Sequence, residues 1–276
     1  MNKFMMTGIA AVGLCGAVFA DVTSANVVGY QLKELNDGKK SYICQTLKNL
    51  NTVVGQQTLG DWVPNDDFEL DDDSMYLWDE DGNIEGHYTF VRKIDVDGEV
   101  VPAGTQVGWY DFAAVDDDWD FSNCLNSKVV PFGTMAMVLT GNGGKMGFSG
   151  EVRNEDTIIV LNDGKKTYIG NCSPVDITLG QIQPSDEFEL DDDSIYFWDE
   201  NGNVEGHYTY VRQIDVDGEV VPAGTQVGWY DFAAVDDDWD FSNCLNSKVV
   251  KAGDSFMALT GNGASIKIPT ALPKAK

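Results

Sequence analysis

The feature that most constrains the fold of this chain is an internal repeat. Residues 68–130 recur as residues 188–250 at an offset of 120, and the two segments differ at only six positions. A looser match continues upstream, where residues 35–40 recur as 161–166 at an offset of 126. Self-similarity of this kind predicts one structural unit present twice. We therefore expect two tandem units, at residues 21–148 and 149–276.

The sequence pattern within each repeat favours strands. Four of the six differences exchange one apolar or aromatic residue for another, as buried strand positions tolerate. A fifth, Asp81 against Asn201, precedes glycine in both copies, and Asp-Gly and Asn-Gly are typical of tight hairpin turns. We predict an all-β fold in which each repeat is a small β-sandwich or β-barrel. The predicted strands are 27–35, 75–78, 84–91, 106–112 and 134–139, with a second hairpin at 94–100 and a short helical turn at 58–60.

The first twenty residues resemble a secretory signal peptide. Lys3 is followed by an apolar stretch, and Val18 and Ala20 provide small side chains at the positions that a signal peptidase reads. Lipidation at Cys15 is the alternative, although Leu14 replaces the small residue that this pattern requires. No later apolar run has the length of a membrane-spanning helix. We expect an exported chain, secreted, periplasmic or at the cell surface, without a membrane span.

Charge excludes one class of partner. The formal net charge is −27, which repels nucleic acid and attracts cations and basic surfaces. Hydrophobic residues still make up 43% of the chain, enough to form apolar cores. We expect no nucleic-acid binding, and partners that are cell-surface or extracellular proteins or glycans.

Four cysteines follow the predicted signal peptide. Export permits disulfides, and an even number of cysteines favours them. Three pairings are possible, and the one that joins the start of each repeat to its end is Cys44–Cys124 with Cys172–Cys244. Four unpaired buried thiols are the alternative.

Acidic clusters are the main candidates for a ligand site. Calcium takes six to eight oxygen ligands from flexible acidic loops, which these clusters could provide. The segment 79–85 is similar to a calcium loop but lacks the glycine and glutamate positions of an EF-hand. A solvated acidic face with a hairpin turn explains the same residues equally well. The predicted calcium ligands are Asp71, Asp72, Asp73, Asp79, Asp81, Asp116 and Asp118, with Asp191, Asp192, Asp193, Asp199, Asp236 and Asp238 in the second copy.

Tryptophans are the second set of candidates. Trp119 and Trp239 each lie between aspartates, which indicates exposure, and an exposed indole can act as a platform for a sugar ring. Trp109 lies in a strand-like segment and is expected in the core. A carbohydrate-binding protein that uses Trp119 and Trp239 as its ligand-binding residues is therefore an alternative function.

Catalytic motifs are missing from the sequence. The two histidines, His87 and His207, occupy equivalent strand positions without a second ligand at metal-binding spacing. No nucleophile elbow or phosphate-binding loop is present. Paired carboxylates of a glycoside hydrolase stay open as an alternative, because acidic residues are abundant. We expect a protein that is not an enzyme.

The segment 23–30, Thr-Ser-Ala-Asn-Val-Val-Gly-Tyr, resembles the opening of a group of exported bacterial β-repeat proteins with no assigned function. This resemblance implies an exported β-repeat protein and brings no activity with it. Together with the composition, it favours a non-enzymatic cell-surface or extracellular structural or binding protein, stabilised by calcium. The amino-terminal strand could also pair with the sheet edge of another copy, so self-assembly is a further expectation.

Overall fold

The computed structural model describes residues 28–48, 57–70, 72–93, 100–153, 155–190, 192–213 and 220–269. The fold is all-β, as predicted, and consists of small antiparallel sheets. We refer to residues 28–153 as the first half and to 155–269 as the second half. The strands of the first half are β1 (Val28–Leu35), β2 (Lys40–Cys44), β3 (Gln57–Thr58), β4 (Val63–Pro64), β5 (Ser74–Trp78), β6 (Ile84–Val91), β7 (Gly108–Asp111), β8 (Val129–Val130), β9 (Met135–Leu139) and β10 (Gly144–Glu151).

The second half repeats this order. Its strands are β11 (Thr157–Val160), β12 (Lys166–Gly170), β13 (Ile177–Thr178), β14 (Gln183–Pro184), β15 (Ser194–Trp198), β16 (Val204–Val211), β17 (Gly228–Asp231), β18 (Val249–Val250), β19 (Ser255–Leu259) and β20 (Ser265–Ile268). Each half also has a 3-10 turn, Leu59–Asp61 or Leu179–Gln181, and one short helix, α1 (Phe112–Asp116) or α2 (Phe232–Asp236). None of the helices that the structure describes is long and apolar enough to cross a membrane.

Each sheet takes its strands from one half. The first half forms a five-stranded sheet in the order β2-β9-β5-β6-β7, a three-stranded sheet β1-β10-β4 and the pair β3-β8. The second half forms the corresponding sheets β12-β19-β15-β16-β17, β11-β20-β14 and β13-β18. The edge strands β2 and β12 are therefore the ends at which one five-stranded sheet can meet the other.

The main apolar core of the first half lies between its two larger sheets. Met146 and Phe148 from the three-stranded sheet join Ile43, Met75 and Trp109 from the five-stranded sheet in one buried cluster. The Trp109 indole nitrogen donates to the Trp62 carbonyl oxygen at 2.7 Å, so its polar atom is satisfied within the core. The prediction that Trp109 is a core residue is confirmed.

A smaller apolar cluster lies on the other face of the first half's five-stranded sheet. It contains Val91 and Tyr110 from the sheet and Val115 from α1, with Cys124 packed against it. Asp111 caps α1 by accepting a hydrogen bond from the Ala114 backbone nitrogen. This cluster holds α1, and the acidic segment that follows it, on the outside of the sheet.

The hairpin predicted at Asp81-Gly82 is confirmed, with a different turn. Strands β5 and β6 pair antiparallel on either side of it, with a register shift between Leu77 and Trp78. Gly82 has a φ of 86°, whereas Asp81 does not adopt a positive φ. Asp79 instead organises a longer loop, because its side chain accepts hydrogen bonds from the backbone nitrogens of Asp81 and Asn83.

Other predicted boundaries shift by a few residues. The strand predicted at 106–112 is shorter, since the chain enters α1 at Phe112. The helical turn predicted at 58–60 is present as the 3-10 turn Leu59–Asp61. The predicted division between residues 148 and 149 falls inside β10, which pairs with β1 along its whole length. The predicted hairpin at 94–100 and the predicted signal peptide lie largely or wholly outside the described residues.

Candidate functional site

The two halves meet through reciprocal contacts. Tyr42 of β2 stacks on Trp198 of β15, with ring centroids 5.3 Å apart and an interplanar angle of 26°. Its repeat-equivalent, Tyr168 of β12, stacks on Trp78 of β5 at 5.2 Å and 19°. Each contact is therefore made twice with the partners exchanged, as at a twofold interface. We call this region the junction.

Polar contacts at the junction follow the same rule. The Lys40 backbone nitrogen donates to the Glu200 carbonyl oxygen at 2.9 Å, and the equivalent Lys166 nitrogen donates to the Glu80 carbonyl oxygen at 2.9 Å. The ammonium groups of Lys39 and Lys165 pair with the carboxylates of Glu200 and Glu80. These ion pairs are half-exposed, so the backbone hydrogen bonds and the stacked rings contribute more to the junction.

The junction departs from reciprocity at Cys44 and Gly170, which occupy equivalent positions in the two repeats. Both residues end an edge strand, and their backbone nitrogens donate to Gly253 and Gly133 respectively, at 3.0 and 3.1 Å. Cys44 has a side chain there, whereas Gly170 has none. A Cβ added at Gly170 would lie 2.6 Å from the Cys44 sulfur, which is far closer than packed atoms allow. The thiol of one copy thus occupies the space of the missing side chain in the other.

This arrangement corrects the predicted disulfides. The four cysteines that the structure describes are free thiols. Cys44 follows core residue Ile43 and therefore points to the opposite side of the sheet, where it is buried in the apolar cluster of the second half together with Cys172. Cys124 and Cys244 lie in separate clusters, against Tyr110 and Tyr230. The predicted pairs Cys44–Cys124 and Cys172–Cys244 are accordingly not formed.

Burial also sets the reactivity of these thiols. Desolvation, followed by the neighbouring Cys172, raises the pKa of Cys44 well above its usual value. Desolvation likewise raises the pKa of Cys172. Buried, protonated thiols are poor nucleophiles, so the pair has the character of core residues.

Trp119 and Trp239 adopt an unusual backbone conformation. Their φ angles are 50° and 52°, and they are the non-glycine residues with positive φ among those described. The Trp119 backbone nitrogen donates to the Val115 carbonyl oxygen at 3.0 Å, so Trp119 takes the left-handed position that ends a helix and that glycine usually occupies. A bulky residue there costs roughly 1–3 kcal/mol. Each of these tryptophans is 43% exposed, and its indole meets Phe121 or Phe241 edge-on, with ring centroids 5.0 Å apart.

Sequence reasoning identified Trp119 from its aspartate neighbours but not this conformation. The signal that could have indicated it is a helix cap, Asp111, followed by Phe-Ala-Ala-Val, which is long enough for one helical turn. Because α1 ends at Asp116, the three aspartates 116–118 lie at or beyond its carboxyl end and are exposed. Trp119 therefore projects from an acidic surface.

His87 is held in an aromatic stack that the sequence did not indicate. Its ring lies between Tyr76 of β5 and Phe112 of α1, with centroids 4.2 Å from each and interplanar angles of 12° and 10°. The His87 Nε2 atom is buried and makes no hydrogen bond to the described residues. Desolvation lowers the pKa of His87, against the opposing influence of Asp111 and Asp116. His207 repeats the arrangement with Tyr196 and Phe232.

The acidic residues predicted as calcium ligands fall into three environments. Asp73 is fully buried and accepts hydrogen bonds from the backbone nitrogens of Glu69 and Gly141 at 2.8 and 2.7 Å. Asp193 does the same with Glu189 and Gly261. These two carboxylates connect the β4–β5 and β14–β15 loops to the turns that follow β9 and β19.

The other predicted ligands lie in turns or on the surface. Asp79 and Asp199 organise the β5–β6 and β15–β16 turns, and backbone and side-chain hydrogen bonds from Asn83 or Asn203 lower the pKa of each carboxyl. Asp81 lies 3.5 Å from the ammonium group of Lys165. The exposed remainder is Asp72, Asp116, Asp118, Asp192, Asp236 and Asp238. Asp71 and Asp191 lie outside the described residues.

Over the described ranges, no group of three or more histidine, cysteine, aspartate or glutamate side chains is arranged to hold a metal ion. Near Asp72, desolvation and a hydrogen bond with the Asp72 carboxyl raise the pKa of Glu69. Calcium binding by these residues stays a prediction.

Comparison with known proteins adds no further constraint. No family model, curated protein or solved structure matches this chain.

Proposed function

We propose that this chain is a non-enzymatic, exported structural and binding protein that presents one binding face twice. In this proposal each repeat is a small two-sheet β-sandwich with its own core, and the junction fixes the two sandwiches to each other. The support is that every sheet takes its strands from one half and that the contacts at the junction are reciprocal.

The observation that carries the proposal is the duplicated left-handed tryptophan. Trp119 and Trp239 adopt a conformation that a glycine or asparagine would adopt at lower cost. Unfavourable backbone conformations of this kind occur preferentially at binding sites, where function offsets their cost. Each indole is half-exposed on an acidic surface, so both copies present the same aromatic face to a partner outside the cell.

A glycan is the ligand that these faces favour. A flat indole beside exposed carboxylates combines an apolar platform with hydrogen-bond acceptors, and sugar rings present an apolar face and a rim of hydroxyl donors. Two identical faces on one molecule would bind a repeating polysaccharide with higher avidity than either face alone. A protein partner on the cell surface is the alternative.

The test is a glycan array probed with the purified chain and with Trp119→Asn, Trp239→Asn and the double variant. Asparagine tolerates the left-handed conformation, so these variants keep the helix end and lose only the aromatic face. We expect each single variant to lose avidity and the double variant to lose binding. Unchanged glycan binding by the double variant would show that Trp119 and Trp239 do not form the binding faces.

Solution assays address the rest of the proposal. Light scattering with and without calcium distinguishes a monomer that presents two faces from a self-assembling structural protein. A broad glycan-degradation screen addresses the enzymatic alternative, and release of reducing ends would contradict a non-enzymatic role.

A further inference from the structure

A cleft of about 750 Å³ opens at one side of the junction, away from Trp119 and Trp239. The first half contributes residues of β1 and β2, and the second half contributes the end of β15 and the segment that leads into β19. Tyr42 and Trp198, which stack on each other, line it from opposite halves. Amide and hydroxyl groups of Gln31, Asn36 and Ser41 add polar groups to the lining.

The cleft exists because the two repeats differ at the positions that border it. Lys33 and Ala252 line the cleft. Their repeat-equivalents, Ile159 and Phe132, are larger or more apolar and pack against the buried core of the second half. The small Ala252 and the polar Lys33 therefore leave space beside Tyr42 and Trp198, where the corresponding positions beside Tyr168 and Trp78 are taken by packed side chains.

Four of the six carboxylates that line the cleft are paired with lysines, and the other two, Asp176 and Asp199, accept hydrogen bonds from backbone nitrogens. The Lys33 ammonium lies 2.5 Å from an Asp254 carboxylate oxygen, and Lys39 pairs with Glu200. Glu34 pairs with Lys145 at 2.9 Å. A charged ligand would have to compete with these pairs, at a cost that the new contacts must first offset. A neutral ligand that donates to the remaining carboxylate lone pairs leaves the ion pairs intact.

We infer that this cleft binds a neutral oligosaccharide, with Tyr42 and Trp198 against the sugar rings and the paired carboxylates accepting from sugar hydroxyls. The size, the aromatic wall and the polar rim are those of a small-molecule site built between two packed units. The inference rests on the carbohydrate-binding form of the proposed function, but it uses a surface separate from Trp119 and Trp239.

The sharpest test replaces residues that border the cleft by the residues at the equivalent positions of the other repeat. Lys33→Ile, Ala252→Phe and Asp254→Thr together install the residues that the chain already carries at 159, 132 and 134. Calorimetry would measure binding of cellohexaose, mannohexaose and xylohexaose to the full chain and to this triple variant. We expect at least one of these neutral hexasaccharides to bind the parent chain with one cleft site, and the triple variant to lose that site while keeping its melting temperature.

Matched variants separate the cleft from stability and from the tryptophan faces. Trp198→Ala removes a ring that lines the cleft, and Trp78→Ala removes its reciprocal partner from the other side of the junction. We expect Trp198→Ala to weaken binding by about tenfold or more and Trp78→Ala to change it by less than about twofold. Trp119→Asn with Trp239→Asn should leave the cleft site intact, so failure of one surface is distinguishable from failure of the other. Equal effects of Trp198→Ala and Trp78→Ala, retained binding in the triple variant, or no binding of any of the three sugars by the parent would overturn the inference.

Discussion

The imidazole of His87 lies flat against the ring of Phe112, with the two centroids 4.2 Å apart. Through this contact, and the equivalent one between His207 and Phe232, a titratable strand residue supports the short helix that carries the acidic run and the left-handed tryptophan. In each half, the first residue of the short helix therefore packs against a titratable ring.

Lowering the pH should destabilise the folded chain through these histidines. Desolvation lowers the folded-state pKa of both below the usual 6.5. The neutral imidazole is thus favoured in the folded state, so the stability it contributes is complete above pH 6.5 and is lost as the pH falls through the folded-state pKa. We expect the melting temperature of the parent chain to fall between pH 7.5 and pH 5. In the double variant His87→Phe with His207→Phe, that fall should be smaller. An equal fall of the melting temperature with pH in the two proteins would contradict this prediction.

The Cys44 and Gly170 positions should show strong coupling. Gly170→Ala places a methyl group 2.6 Å from the Cys44 sulfur and 2.6 Å from the Asp254 carbonyl oxygen, so we expect a loss of about 1–3 kcal/mol in the free energy of unfolding. Cys44→Gly in the Gly170→Ala background should recover part of that loss, as a double-mutant cycle in urea would measure. Gly261→Ala is the matched control, because its added methyl would meet only an Asp193 carboxylate oxygen, 4.0 Å away. Additive effects of the two substitutions would show that the thiol does not fill the space of Gly170.

Replacing the left-handed tryptophans should cost little stability. Trp119→Asn with Trp239→Asn relieves the unfavourable φ and loses the edge-on contact with Phe121 and Phe241. The relieved strain is roughly 1–3 kcal/mol per site and the lost ring contact about 0.5–1.5 kcal/mol, with opposite sign, so the free energy of unfolding should change by less than about 3 kcal/mol per site. Chemical denaturation of the double variant checks this. A large loss would assign the tryptophans to the core instead of to a binding face.

Calcium should act on the exposed acidic run at the end of each short helix if the predicted ligands bind it. Asp116 and Asp118 are exposed, and their repulsion is relieved by a bound cation. We expect calcium to raise the melting temperature above that in a chelator, and Asp116→Asn with Asp236→Asn to reduce the rise. Magnesium at equal ionic strength is the control, and an equal effect of both ions would indicate charge screening.

The sequence was informative wherever local chemistry decided the structure. Exchanges of one apolar or aromatic residue for another between the copies predicted β5 and β6, and the Asp-Gly and Asn-Gly pairs predicted the turns between the paired strands. The Trp109 core position also followed from its strand. The offset between the repeats predicted that the sheets of the two halves would correspond.

Contacts between the halves could not be predicted in the same way. Tyr42 lies in β2, which was not among the predicted strands, and only the packing of one sheet against another pairs it with Trp198. The predicted disulfides were wrong for the same reason, because Cys44 turns away from its own repeat and into the core of the other. The sequence also did not distinguish buried from exposed aspartates. Asp73 is buried and accepts two backbone hydrogen bonds, whereas Asp116 is exposed, although both lie in runs of three aspartates.

The complementarity of Cys44 and Gly170 has a consequence for how the two copies can change over time. Both positions lie outside segments 68–130 and 188–250, in which the copies are almost the same. Replacement of one copy's sequence by the other's inside those segments leaves the Cys44 thiol against Gly170. The same replacement at 44 or 170 would instead place cysteine at both positions, with two thiols in one space, or glycine at both, with that space unfilled. Twin copies thus require a small region in which they remain unlike.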